Sequence, residues 1–346
     1  MSDRFISPEA NGEESELERN LRPNTLAEFT GQESIKESLQ IAIEAAKHRG
    51  EPLDHCLFAG PPGLGKTTLS SIIAKEMGVQ LHVTSGPILE KASDLAGLLT
   101  SLQPNDILFI DEIHRMSRVI EEYLYPAMED FRLDIMLDSG PAARTVNLPL
   151  RPFTLVGATT RSGMLSGPMR DRFGLQYRLE LYDDTDIQKI LMRSATILNV
   201  KITEQAAASL SSRCRGTPRV ANRVLRRCRD VAQVRGNGVI DNAVAEKTLQ
   251  MLGIDEDGLD PMDRKILAMI IDNFDGGPVG LNTLGAALGE EPDTLEEVYE
   301  PYLIRKGFMS RSPRGRIATS NSYRKLGKTV PKSFIARNAL QGELEL

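Results

Sequence analysis

The chain has 346 residues, 40% of them hydrophobic and 26% charged, with a net charge of −6. That length suits about two or three domains, each able to bury its own core. No apolar run approaches the ~20 residues of a membrane span, and the N-terminus has no secretory pattern, so a cytoplasmic protein is expected. Cys56, Cys214 and Cys228 lack any paired spacing and the four histidines are scattered, which argues against a disulfide framework or a zinc site. Net acidity alone argues against nucleic acid. Yet residues 301–342 hold ten Lys/Arg and no Asp or Glu, so one basic end sits on an otherwise acidic chain.

Residues 1–20 read as a flexible polar arm with Glu9, Glu13, Glu14 and Glu16. From 32 to 49, Ile35, Leu39, Ile43 and Ala46 recur at helical spacing and Gly50 stops the run. Residues 55–59 form an apolar run of strand length, and residues 60–68 follow it as GPPGLGKTT. Gly60, Gly65, Lys66 and Thr67 satisfy G-x-x-x-x-G-K-[ST], and a helical pattern from Leu69 closes at Gly78. Strand, loop and helix in that order are the context a phosphate-binding loop needs, so the chain is expected to bind a nucleoside triphosphate. Lys66 is expected at the β- and γ-phosphates and the Thr67 hydroxyl on Mg2+.

Residues 80–84 read as a strand and 92–102 as a helix. Ile107 to Ile110 is a buried-strand run ending in Asp111 and Glu112. Acids at the carboxyl end of a parallel strand lie where α/β sheets place ligands. Asp111 is therefore expected to bind Mg2+ through water, and Glu112 to polarise the attacking water. Residues 118–130 are helical, and 133–150 alternate about Asp138-Ser139-Gly140-Pro141 as a β-hairpin. Residues 153–157 form another strand, leading into Ala158-Thr159-Thr160-Arg161. Met169-Arg170-Asp171-Arg172-Phe173 precedes a last strand at 176–181. The alternation predicts a doubly wound parallel sheet over 21–182.

Past Tyr182 the texture changes. Helices at 186–198, 203–213, 218–235 and 242–252 make a small helical domain, 183–254. An acidic linker leads to short helices at 263–273, 281–288 and 295–306. Two strand-like pieces then flank Ser312-Pro313-Arg314-Gly315. Three helices and a basic wing describe a winged helix over 255–346.

The ordered run LRP, GPPGLGKTTL, FIDEIHR, GATTR, RDRFG and GTPR, followed by a winged helix with RSPRGR, resembles the RuvB family. These are bacterial AAA+ ATPases that drive Holliday-junction branch migration in recombination and repair. The resemblance spans nearly the whole chain and implies an α/β P-loop AAA+ core, a helical lid and a winged helix acting as a hexameric ring. Its implied cofactors are ATP and Mg2+, and its partners are duplex DNA at four-way junctions, RuvA and, through that complex, RuvC. Leu21, Arg22 and Tyr182 would enclose the base and sugar, with Gly63, Gly65, Lys66, Thr67 and Thr68 around the phosphates. Thr160 would be the first sensor, with Thr159 its rival, and Arg219 the second. Arg172 would be the finger reaching a neighbour's site, with Arg170 the alternative and an ion pair with Asp171 the plain reading. Glu129, Asp130 and Phe131 would share that interface. Arg311, Arg314 and Arg316 would contact DNA phosphates. Val146 and Leu148 either dock RuvA or pack in the core. A clamp-loader subunit and a DNA-binding regulator that uses ATP only as a switch are the rival functions.

Overall fold

The computed structural model describes residues 16–136 and 145–331. The turn expected at Asp138–Pro141 and the first fifteen residues of the expected arm lie outside them. The arm reading needs correction at its end, because Glu16–Leu21 is helical. Glu, Leu and Arg are good helix formers, and Leu21 anchors the helix end with 3% exposure.

Two compact units divide between Tyr182 and Asp183. The first is built on a parallel sheet of five strands: β1 (Cys56–Ala59), β2 (Leu81–Ser85), β3 (Ile107–Asp111), β6 (Thr154–Thr159) and β7 (Leu175–Arg178). Between β3 and β6 in the chain, β4 (Arg132–Met136) and β5 (Thr145–Pro149) pair as a separate antiparallel hairpin. The sheet order is β2-β3-β6-β1-β7. Strands β3 and β6 read as continuous apolar runs because both faces are covered, and every residue of β6 is buried. Helices Glu33–Arg49 and Lys66–Met77 turn Leu39, Ile43, Ile72 and Ile73 inward. Each such side chain contributes about 1.5–3 kcal/mol on burial. The order brings the carboxyl ends of β3, β6 and β1 side by side.

The second unit begins with helices Asp184–Ile197, Glu204–Ser211, Pro218–Arg235 and Asn242–Met251. Asp183, Thr203 and Asp241 cap three of them through side-chain oxygens. A short parallel pair, β8 (Lys201–Ile202) and β9 (Val239–Ile240), was not foreseen, since two residues carry no periodicity. Helices Pro261–Asn273 and Leu281–Leu288 follow, then a π-type turn Leu295–Tyr299 running into helix Glu300–Arg305. The hairpin of β10 (Met309–Ser312) and β11 (Gly315–Ala318) completes the winged helix. Its core gathers Leu259, Ile266, Leu267, Ile270, Leu303 and Tyr323.

Within this unit a lid side chain is plugged into the winged helix. Arg215 is 3% exposed and its guanidinium lies 3.1 Å from the Asp260 carboxylate and in direct contact with Asp263. The guanidinium also stands over the Tyr302 ring at 5.1 Å and the Tyr299 ring at 5.9 Å. Asp260 and Asp263 cap the helix Pro261–Asn273 reciprocally. Burial, with Asp260 beside it, raises the Asp263 carboxyl to about 8, against the pull of Arg215. One proton shared by two carboxylates facing one guanidinium makes this buried group neutral. Among the described residues no helix is long and apolar enough to cross a membrane.

Candidate nucleotide site and nucleic-acid interface

The loop after β1 is shaped by its glycines. Gly65, at φ 105, precedes the first helical residue, and its Cα faces the Phe29 ring so closely that a Cβ would lie 3.0 Å from a ring carbon. Only glycine fits that backbone and that gap. Lys66 is 7% exposed and its Nζ donates to Gly60 O at 2.7 Å and Pro61 O at 3.0 Å. The ammonium is thus turned back inside its own loop, at the N-terminus of helix Lys66–Met77. Thr67 is half-buried and Thr68 buried beside it. Tyr182 is buried and its hydroxyl donates to Leu64 O at 3.0 Å, which ties the end of this unit to the loop. Arg22, next to buried Leu21, is half-buried.

Asp111 ends β3, and its Oδ1 accepts the Glu112 N–H at 3.0 Å. Glu112 has a left-handed backbone, φ 46 and ψ 45, uncommon for a residue with a Cβ. Burial, and then the neighbouring Asp111, push the Glu112 carboxyl above its ordinary range, with Lys66 opposing. On the adjacent strand end, Thr160 Oγ1 donates to Glu112 Oε2 at 3.3 Å. Thr159 points elsewhere: it is wholly buried, 2.9 Å from His114 Nδ1, and accepts the Arg161 N–H at 2.9 Å. Of the two threonines, Thr160 therefore lies against Glu112. The loop is tied to the same place, because Gly60 N donates to Thr159 O at 3.1 Å. His114 is the residue the sequence reading passed over. Its only signal was a histidine two positions after the acid pair.

No group of three His, Cys, Asp or Glu capable of caging a metal occurs among the described residues. Thr67 and Asp111 suit an ion such as Mg2+, which keeps several waters and takes few protein ligands beside substrate phosphates.

Arg172 follows the short helix Gly167–Asp171. Its partner is Glu129 at 3.0 Å, not Asp171, and a second guanidinium nitrogen donates to Pro168 O at 2.7 Å. The guanidinium lies 4.3 Å from the Tyr125 ring centroid. Ser166 fixes this corner by donating to Glu121 at 2.7 Å. Asp130 and Arg170 are exposed, whereas Phe131 is half-buried against the Phe153 ring at 5.9 Å. Part of Phe131 thus serves the core of its own subunit. Arg219 is exposed in the first turn of Pro218–Arg235.

The wing distributes its charge differently from a count along the chain. Arg311 and Arg316 are cross-strand partners on β10 and β11, a like-charge pairing that repels unless something intervenes. Glu300, 3% exposed, intervenes: its Oε1 accepts from Arg311 Nε at 2.8 Å and Arg316 Nε at 2.9 Å. Glu296 adds a contact to Arg316 at 3.2 Å. Arg316 is left with 15% side-chain exposure, Arg311 with 51%. Lys325 pairs with Asp255 at 3.2 Å and also touches Asp257, while Lys328 meets Asp272. Acids from 255–300 thus fold onto the acid-free segment. Arg314, in the turn between the strands, is exposed and has no ion pair among the described residues.

On the β4–β5 hairpin, Leu148 lies opposite fully buried Leu133 and packs on the core, half-buried. Val146, two residues further from the root on the same face, is 37% exposed. Alternation groups the two residues as one set, but the edge of the core falls between them.

Family models agree with this layout domain by domain. The Holliday junction DNA helicase RuvB P-loop domain matches residues 21–179, the RuvB AAA lid domain 182–255, and the RuvB C-terminal winged-helix domain 256–327. Among solved structures, the Thermotoga maritima RuvB Holliday junction branch migration motor is 51% identical, with 90% of this chain and 100% of that one covered and a TM-score of 0.83. A point mutant of Thermotoga maritima RuvB is 52% identical, with 90% and 99% covered and a TM-score of 0.84.

Proposed function

Because the chain belongs to the RuvB family of P-loop AAA+ Holliday-junction branch-migration ATPases, we propose that it couples ATP hydrolysis to movement of a four-way DNA junction, as a hexameric ring with RuvA and, through that complex, the RuvC resolvase. The observation that carries this reading is the meeting of the Lys66 loop, Asp111, Glu112 and Thr160 at the neighbouring ends of β1, β3 and β6.

Backbone N–H groups from Gly63 to Thr68 and the helix N-terminus receive the phosphates, and Lys66 swings its charge from Gly60 O and Pro61 O to the β- and γ-oxygens. Thr67 and, through water, Asp111 would hold Mg2+, which would supply positive charge against the phosphates. Glu112, with its carboxyl raised toward the working pH, takes the proton of the attacking water. Thr160 holds its Oε2. Leu21, Arg22 and Tyr182 flank the base and sugar, and Arg219 reads the phosphates from the lid.

Arg172 acts in the neighbouring subunit's site, beside Glu129 and Asp130. Its present pairing is no obstacle, since Glu129 is 54% exposed and such a pair contributes only about 0–1 kcal/mol. DNA phosphates meet the wing at Arg314, with the exposed side of Arg311; Arg316 serves mainly to hold the wing. Val146 presents the RuvA contact, and Leu148 roots it. The wing hairpin distinguishes the chain from a clamp-loader subunit.

The test is ATP-driven dissociation of a synthetic four-way junction, with and without RuvA, and displacement of a protein block from duplex DNA. A motor clears the block only with ATP. An ATP-operated switch that binds DNA without displacing the block would refute the proposal.

A further inference from the structure

His114 lies at the centre of the hydrolytic corner, and no role has been given to it. It is 4% exposed at the side chain, and its Nδ1 lies 3.2 Å from Glu112 Oε2 and 2.9 Å from Thr159 Oγ1. A carboxylate can only accept, so the tautomer that suits this position carries the proton on Nδ1. That N–H then lies between Thr159 Oγ1, its hydrogen-bond partner, and the slightly more distant Glu112 Oε2, and the Thr159 oxygen also takes the Arg161 N–H. Oε2 is thus approached from two sides, by Thr160 and by His114, both fixed through the end of β6.

The backbone beneath Glu112 is confined as well. Its φ of 46 costs energy for a residue with a Cβ, and three features keep it there. Asp111 Oδ1 takes its N–H, Arg115 N donates to its carbonyl at 2.9 Å, and Gly86 lies so close that a Cβ there would collide with that carbonyl oxygen. The main chain sets where the acid starts, and the imidazole sets where the carboxylate ends.

We infer that His114 is a positioning residue for hydrolysis: through Nδ1 it orients the Glu112 carboxylate from the Thr159 end of β6, so that the other carboxylate oxygen is left to take the proton of the attacking water. This rests on the reading of Glu112 as the water-activating acid. The Thr160 and His114 side chains both approach Oε2, so the two side chains that position the carboxylate do so from one of its oxygens.

The experiment compares steady-state ATP hydrolysis with binding of a fluorescent ATP analogue in the full-length protein. In His114→Leu, kcat should fall at least about tenfold, a fraction of the 10²–10⁴ that a general base contributes, while nucleotide Kd stays within about twofold. His114→Asn keeps an N–H near the Nδ1 position and should recover most of the loss. In a Glu112→Gln background, His114→Leu should cost nothing further. Thr159→Val, nearly the same shape, should lower kcat in the same direction and serves if the leucine variant does not fold. A wild-type kcat in His114→Leu beside an inactive Glu112→Gln overturns the inference alone, as does an asparagine variant no better than leucine. A wild-type rate in Glu112→Gln removes the reading beneath it.

Discussion

Replacing Arg215 by methionine keeps the length of the side chain and removes its charge from a site where Arg215 is 3% exposed and Asp263 fully buried. Two carboxylates then face each other without a cation. Breaking a buried pair costs about 3–5 kcal/mol, mostly through the charge left behind. Among the described residues Arg215 Nε and Nη1 and Asp263 Oδ1 have no hydrogen-bond partners, which places the cost toward the lower end. For a unit of this size each kcal/mol moves the melting midpoint by about 2–4 °C, so calorimetry should show a drop of roughly 6–12 °C. Asp263→Asn alone should cost far less, because that carboxyl, raised to about 8 from 3.8, already holds a proton near neutrality. The sign follows from the same pair of values. The folded form binds the proton more tightly than the unfolded chain, so wild-type stability falls as pH rises from about 4 to about 8. The asparagine variant should lack that slope, and the double variant should regain little of the methionine loss, because the buried Asp260 carboxylate still lacks its cation. If Arg215→Met melts within a degree or two of wild type, or if both single variants keep the wild-type pH slope, the cluster is not what joins lid to winged helix.

Lys66→Ala should lose nucleotide binding, whereas Glu112→Gln should bind ATP and stall; equal loss of binding in both would refute the division of roles. The Gln variant should also melt higher than wild type at neutral pH, because a carboxyl raised in the folded state costs stability once pH passes above the unfolded value near 4.5. Arg172→Ala should bind ATP normally and poison mixed rings beyond simple dilution; full hydrolysis by monomers would exclude a finger acting between subunits. Arg314→Ala should flatten the slope of log K against log salt by about 0.9 for one lost phosphate contact, and an unchanged slope moves the DNA contact elsewhere. Val146→Ser should change stability by no more than ~0.5 kcal/mol yet abolish RuvA-stimulated junction migration, while Leu148→Ser should cost ~1–2 kcal/mol through lost packing. Retained stimulation in Val146→Ser would take the partner contact off the hairpin.

The parts legible in the sequence were those whose chemistry is local. The loop at Gly60–Thr67 and the acid pair closing β3 announce themselves because a phosphate site needs contiguous residue types and a buried parallel strand needs a continuous apolar run. The helices of the second unit were readable from caps such as Thr203 and Asp241. What could not be read depended on residues far apart in the chain. Acid-free counting over 301–342 missed Glu300, which lies just outside the window and neutralises two arginines inside it. Alternation along β5 showed that Val146 and Leu148 share a face, but not where the core ends beneath them. The Glu129 partner of Arg172 sits on another helix, and His114 gains its meaning only from Thr159, on a strand 45 residues away.

Glu300 binds one arginine from each strand of the wing, so β10 and β11 are clamped to the helix that carries it before any ligand arrives. Ordering a long side chain at the moment of association costs about 0.5–1.5 kcal/mol, and for these two arginines folding has already met that cost. The tip at Arg314 is therefore a preset shape, and on the proposed role it would meet a duplex as one. If the wing grips DNA as proposed, little entropy is lost or regained each time it releases and regrasps, and individual contacts can stay weak without the grip becoming slow to re-form.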